Sequence, residues 1–386
     1  MVSEVPQDLP ALCFYRRPPS GETVRLLAVG DIGLCGLVAA TAQDRGYEAL
    51  LEEFVPLFHG ADIVFGNLET TLLETIRPGY LFAAAPSMLS VLQTAGFTVL
   101  HLANNHIYDY GQQGLLSTIA ACQQYGIIPL GVGNDPLTLA EPVSTDCKGL
   151  RIGWLSCGRT LQKQMAGGPY YWEFNEDSLK EAIKRSRESF DVLIVSIHIG
   201  LMYLDYPHPD HKSMAEGLLA AGADLILMHH AHVLQGAAVN AAKQGVCYNL
   251  GNFLWDWQQG NVKPDVAIEE QQEGAVFLFD FDQDGLCQAA VLPTVNAADC
   301  CVHWATGAKG DKILSRLKRL SEGLEQDYHD IFWGQRADRN VGMTIKVLLF
   351  HLFKGNIFYI YDQVKKFRWH HVLLMIRFIL NYKWGK

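Results

Sequence analysis

No apolar run in this chain reaches the ~20 residues that a membrane-spanning helix requires. The longest candidates, near the C-terminus, are interrupted by Lys354 and Arg377. The opening residues, Met1-Val2-Ser3-Glu4-Val5-Pro6, lack the basic start and apolar stretch of a secretory signal, so a cytoplasmic protein is expected. CxxC pairs are also missing. Nine cysteines are scattered singly apart from Cys300-Cys301, which excludes a thiolate metal site or a disulfide framework and points to reduced, mostly buried thiols. Basic residues are scarce over most of the length. The net charge is −10, and residues 341–386 alone carry +7 (eight Lys/Arg against Asp362), which leaves −17 on the first 340 residues. Such an acidic body excludes general nucleic-acid binding, which needs a basic face.

What the chain does have is apolar residues, 49% of its 386, enough for a sizeable core. Residues 1–22 read as an irregular lead-in with Pro6, Pro10, Pro18 and Pro19. Short apolar runs predict strands at 24–29, 62–66, 97–102, 151–156, 191–197, 224–228, 246–250 and 275–281. Amphipathic stretches predict helices near 47–58, 86–95, 112–125, 176–189 and 211–221, with Gly96, Gly126 and Gly222 as left-handed residues just past helix ends. The alternation predicts an α/β protein with a largely parallel sheet that gives way to hairpin-like strands. A composition shift near 300–311 predicts a boundary, so the expected organisation is a lead-in (1–22), one large domain (23–300) and a helical extension (311–386).

Five of the predicted strands are followed at once by polar residues: Gly30-Asp31, Gly66-Asn67-Leu68-Glu69, Asn104-Asn105-His106, His198, and His229-His230-Ala231-His232. In an open α/β sheet, ligands gather outside the carboxyl ends of the strands. Asp31, Glu69, Asn105, His106, His198, His230 and His232 should therefore face one crevice. Each segment alone could be a cap or an Asx-turn; five together are better explained as a site. Carboxylate, amide and imidazole donors suit Mn, Fe or Zn better than thiolate chemistry.

These blocks, with Asp109-Tyr110-Gly111, Gly200, Tyr203, Pro207, Pro209, Ala221-Gly222-Ala223-Asp224, Val233-Leu234-Gln235 and Asn249-Leu250-Gly251-Asn252-Phe253, resemble the CapA family, linked to bacterial capsule and poly-γ-glutamate synthesis. The resemblance runs over roughly residues 24–256 in order. It implies the fold of the calcineurin-like metallophosphoesterases, a four-layer α/β/β/α sandwich with two divalent metal ions between two sheets. It implies Asp31, Asn105, His198, His230 and His232 as metal ligands, with Glu69 standing in for the bridging carboxylate. His106, paired with Asn105, would be the general acid that protonates the leaving group, and Asn104 a further catalytic residue. Asn67, Tyr203, His229, Asn252 and Arg159 are expected to meet substrate, Arg159 from a loop that also carries Tyr170, Tyr171 and Trp172.

The chain departs from these patterns in places. Gly33 stands where the metallophosphoesterase first block has a histidine, Ile199 and Met202 replace the usual Trp and Glu, and His211 replaces Gln. Met228 and Ala231 replace a glycine and a proline around the double histidine.

The function expected is metal-dependent hydrolysis of an anionic polymer or phosphoester. A non-catalytic accessory protein that binds an anionic polymer or a synthase partner through the same crevice is the alternative, and γ-glutamyl amide hydrolysis a weaker third. The basic, Trp-containing segment 341–386 could contact anionic membrane lipid peripherally, pack on the acidic body, or form a homodimer interface.

Overall fold

In the computed structural model, residue 6 and residues 8–160, 162–165, 167–256 and 268–336 are described. The chain divides into two units, Met1–Glu325 and Gln326–Lys386. Of the second, only 326–336 lie within the described residues, helical from 329. The segment 341–386, with its expected membrane or dimer contacts, lies outside them.

The first unit is built on two sheets. Seven strands frame the site: β1 (Val24–Ile32), β2 (Ile63–Leu68), β3 (Val99–His101), β4 (Leu150–Gly158), β5 (Val192–His198), β6 (Leu225–His229) and β7 (Asn252–Leu254). In the nine-stranded sheet the order is Leu12–Arg16, Gly285–Asn296, Glu273–Asp282, β1, β2, β3, Ile128–Leu130. There, β7 also pairs with β1, and Val302–Trp304 pairs with Gly285–Asn296. The β1-β2-β3 core and the β7 pairing are parallel, and the Glu273–Asp282/Gly285–Asn296 hairpin is antiparallel. The six-stranded sheet runs Ala237–Val239, Gly245–Cys247, β6, β5, β4, Val143–Cys147, with β4-β5-β6 parallel.

β1 is apolar almost throughout because both of its faces are covered, as expected of a parallel strand inside layers. Leu26 and Ala28 point to the other sheet and meet Ile152, Trp154, Ile194, Leu225 and Leu227. Leu27 and Val29 point the other way, into a core with Phe54, Phe58, Leu92 and Phe97 from the covering helices. Between the sheets Phe65 stacks on Trp154, with centroids 5.3 Å apart. The helices Glu176–Ser186 and Pro209–Ala220 cover the six-stranded sheet, completing the α/β/β/α order. Asn175 caps the first of these by accepting from the Ser178 amide, and Pro209 opens the second.

A strand lies in each of the eight stretches that the alternating pattern predicted, and Gly96, Gly126 and Gly222 have the left-handed φ expected of them. The differences are informative. The expected irregular lead-in contains Leu12–Arg16, a partly buried edge strand. The 47–58 stretch is two 3₁₀ turns and a short helix, Val55–His59, begun by Pro56. The 246–250 run stops at Cys247, and the chain then crosses to the other sheet as β7. The boundary expected near 300–311 falls inside the first unit: Val302–Trp304 extends its sheet, and helix Gly307–Leu324 sets Ile313, Leu314 and Leu317 into its core.

At Gly30 the backbone of β1 passes against the turn that leads into β7. A Cβ at this position would lie 1.9 Å from the Gly251 carbonyl oxygen, which accepts from the Asp31 amide at 2.8 Å. Gly30→Ala should cost about 3 kcal/mol of stability, read as a lower urea midpoint at unchanged slope.

Candidate metal centre

Register places the chemistry. In the nine-stranded sheet Asn252, Asp31, Asn67 and His101 sit side by side across β7, β1, β2 and β3. In the six-stranded sheet Gly158, His198 and His229 align across β4, β5 and β6. The two rows meet closely: a Cβ at Gly158 would lie 1.7 Å from the Ala103 carbonyl oxygen. After β6 the chain turns through His230 and His232 at φ +100° and +56°, left-handed conformations that cost a non-glycine residue about 1–3 kcal/mol each. The Ala231 carbonyl between them accepts from the Tyr203 amide at 2.7 Å, which helps to hold the turn.

Glu69 lies at the centre. Its Oε1 is 3.7 Å from His198 Nε2, 3.7 Å from His232 Nε2 and 3.8 Å from His106 Nε2. Glu69 is fully buried, and neither carboxylate oxygen has a hydrogen-bond partner among the described residues. Around it, Glu69, His198 and His230 form one group, and Asp31, Glu69 and His232 another, each with donor atoms within 4.8 Å of one another. Asn105 Oδ1 and His230 Nδ1 approach His198 Nε2 at 2.6 and 3.1 Å. The expected metal-ligand residues Asp31, Glu69, Asn105, His198, His230 and His232 are thus gathered in one place.

The supporting side chains explain their aim. Asn67 donates to Asp31 Oδ1 at 2.8 Å and lies 3.1 Å from His198 Nδ1, and Asn104 donates to Asn67 Oδ1 at 3.1 Å and to the Leu68 carbonyl at 2.7 Å. Asn252 Oδ1 is 2.9 Å from His232 Nδ1. Partners on one ring nitrogen direct the other toward a metal, a common arrangement at histidine ligands. Asn67 and His229 were expected to meet substrate, but both are fully buried behind Asp31 and His198, His229 Nδ1 lying 3.5 Å from Asp31 Oδ1. Asn104, expected as a catalytic partner, is likewise buried, and its Oδ1 accepts from the His106 amide; it organises the turn that presents His106. Asn252 is buried too, holding His232 where substrate contact was expected. Tyr203 is half-buried, its ring 5.9 Å from that of His232. Arg159 is exposed and sets its guanidinium over Phe174, with only its amide reaching the His198 carbonyl.

His106 is oriented from two directions. Its Nδ1 is 2.7 Å from Asp109 Oδ2, while Asp109 Oδ1 accepts from Gln162. The Phe82 ring, held at φ +51°, stacks on the imidazole at 3.7 Å. Phe82, Gln162, Trp255 and His101 carry no sign of this in the sequence; the motif resemblance marks donors, not the rings packed on them. His101 is fully buried, with its Nδ1 2.7 and 2.8 Å from the Ser156 and Ser196 hydroxyls.

Burial opposes the charge on Asp31, yet His229 and His232 hold its pKa well below the usual carboxylate range. Burial pushes Glu69 well above that range, and Asp31 adds to the effect. Burial also works against a charge on His232, but Glu69 and Asp31 raise it to about 9. Burial and a neighbouring imidazole push His198 well below the histidine range and take His230 to about 4. A buried carboxyl group without a hydrogen bond, beside the imidazoles of His198 and His230 that burial keeps neutral, is a donor set that fits divalent cations.

The sequence profile of the family described as "Bacterial capsule synthesis protein PGA_cap" matches residues 25–257. The chain belongs to this family. It is similar to the capsule biosynthesis protein CapA of Bacillus anthracis, 27% identical over 297 residues that cover 72% of this chain and 71% of that one. It is also similar to the PGA biosynthesis protein CapA of Bacillus subtilis (strain 168), 28% identical over 310 residues that cover 78% and 77%. Among solved structures it resembles the calcineurin-like phosphoesterase YfkN from Bacillus subtilis, with TM-score 0.39 and 14% identity over 78% of this chain and 97% of that one.

The buried and half-buried histidines make a pH prediction for the protein in metal-free buffer. His101 (about 3), His211 and His230 (both about 4) and His198 stay neutral in the fold, where burial is the chief cause, but gain a proton near 6.5 when unfolded. The unfolded chain then binds more protons, so stability falls as pH drops from 6.5 toward 4, by up to about 1.4 kcal/mol per pH unit for each histidine. Glu69 opposes with one proton of the other sign. His232 is protonated in both states over this window; its stabilisation is lost only as pH rises through about 9. Urea unfolding across the window should show the net loss, and His101→Phe should flatten it.

Proposed function

We propose that this protein is a divalent-metal-dependent hydrolase that acts on an anionic ester or polymer in capsule or poly-γ-glutamate synthesis. The observation that carries the reading is Glu69, buried without a hydrogen bond and shared by two donor groups. Asp31, Glu69 and His232 would hold one cation; Glu69, Asn105, His198 and His230 would hold a second, with Mn, Fe or Zn suited to the donors. Cations so placed supply Lewis acidity and lower the pKa of water.

The chain's own groups do the rest. Asp109 holds His106 Nδ1, Phe82 fixes the ring plane, and Nε2 faces the crevice 3.8 Å from Glu69. A proton on Nε2 is positioned for a leaving oxygen on that side, the work of a general acid. Asn67 and Asn252 keep the donors aimed, and the close sheet edges at Gly30 and Gly158 limit water from behind.

A second reading has one observation in its favour. The Trp255 ring takes up the space beside Gly33, and among the described His, Cys, Asp and Glu side chains the donor group on that side is Asp31, Glu69 and His232, which suits an accessory protein that binds an anionic polymer or synthase partner without turnover.

Elemental analysis of the purified protein and of a His230→Ala/His232→Ala variant, with both assayed on an aryl phosphodiester in added Mn, separates the two. The hydrolase reading expects near-stoichiometric metal and turnover in the parent and loss of both in the variant. Metal with no turnover that depends on these histidines would leave the accessory reading. His106→Asn should keep the metal and lower kcat by about 10²–10⁴-fold.

A further inference from the structure

We infer that the trough lined by Tyr170, Tyr171 and Trp172 is a second binding site, separate from the crevice, whose ligand is a small quaternary ammonium cation. The trough has a volume of about 470 Å³, within the ~300–1,000 Å³ of small-molecule pockets. Tyr171 and Trp172 form its floor, 2% and 9% exposed, with the half-buried Tyr170 and Leu139 beside them. Met165 and Glu173, both exposed, complete the lining. None of the crevice donors takes part in it.

Backbone pairing fixes the three aromatic residues. Tyr170 and Tyr171 pair with Gly133 and Val132 in a two-stranded sheet. The Trp172 amide donates to the Gly131 carbonyl at 2.8 Å, and the Trp172 carbonyl accepts from the Gly158 amide at 3.1 Å. Gln164 brackets Tyr171, its Nε2 donating to the Tyr171 carbonyl at 3.0 Å and its Oε1 accepting from the Tyr171 amide at 3.1 Å. A site held in this way has little ordering left to do on binding, which favours a small ligand. The same loop reaches the crevice through Gln162, which donates to Asp109, the partner of His106.

The lining selects the ligand. Among the described residues no Lys, Arg or His lines the trough, and Glu173 would repel an anion. A sugar needs several converging polar groups, but the Gln164 amide is spent at both ends and the Tyr170 hydroxyl already accepts from the Gly167 amide at 3.0 Å. The Glu173 carboxylate, by contrast, has neither a hydrogen bond nor an ion pair among the described residues. Its charge adds to the upward shift that burial imposes on the Tyr171 phenol, so it stands near the floor. The rings of Tyr170 and Trp172 pack on no other aromatic ring among the described residues. Aromatic rings beside one unpaired carboxylate attract a cation whose charge is spread over methyl groups, because such an ion asks for no acceptor geometry and fits an apolar wall.

The test is calorimetric titration of the full-length protein with choline chloride, with neohexyl alcohol, its uncharged carbon isostere, and with glucose. Choline should bind about tenfold more tightly than the alcohol, and glucose should not bind. Glu173→Gln and Tyr170→Leu should each weaken choline by about three- to thirtyfold. The His230→Ala/His232→Ala variant should bind choline as the parent does. Glu173 is exposed, so Glu173→Gln keeps the fold and decides the matter if circular dichroism shows that Tyr170→Leu does not. Equal binding of choline and the alcohol would make the trough merely apolar and overturn the inference. So would glucose binding without choline, no binding of choline at all, or choline affinity unchanged in Glu173→Gln. None of these outcomes depends on metal or on turnover, so the inference stands or falls apart from the hydrolase reading.

Discussion

A carboxylate without a partner organises this molecule. Glu69 is fully buried, carries two oxygens with no hydrogen bond, and lies within 3.8 Å of three imidazoles. Leaving such a group unsatisfied costs several kcal/mol, so the surrounding structure must fix it there. The parallel cores of both sheets end at this point, the asparagines behind it are spent on aiming donors, and two histidines stand in left-handed backbone to reach it. The site is the place where the fold gives up local stability, and the apolar layers elsewhere compensate for it.

Much of this was legible in the sequence. Buried parallel strands read as continuous apolar runs, so the frame from Val24 to His229 was visible, and so was the polar residue at each strand end. The donors could be named because a strand end fixes where its next residue points. What stayed hidden depends on partners distant in the chain. Leu12–Arg16 is a strand only because Gly285–Asn296 lies beside it, and its mixed burial gives no clean alternation. β7 is three residues long and follows a turn, so it merged with the run before it.

The expected substrate-facing residues that lie buried share a feature. Asn67, Asn252 and His229 are polar residues at strand ends, like Asp31 and His198, and only the side on which the second sheet closes decides which of them faces the crevice. Phe82, Trp255 and His101 escaped notice for the opposite reason. Aromatic rings and a lone histidine look like ordinary core until the stack on His106, the wedge beside Gly33 and the two serine hydroxyls are seen. Arg159, the one residue chosen for its charge, rests on Phe174 instead of facing the donors.

The crossing of the chain from Cys247 in one sheet to Asn252 in the other bears on how the protein matures. During synthesis Asp31 and Glu69 emerge early, while His232 and the asparagine that steadies it come nearly two hundred residues later. No fragment that stops short of β7 can seat that strand on β1, so the donor set closes only after both sheets have found each other. Cofactor loading would then be a late event in biogenesis, one that reports that the whole body has been assembled.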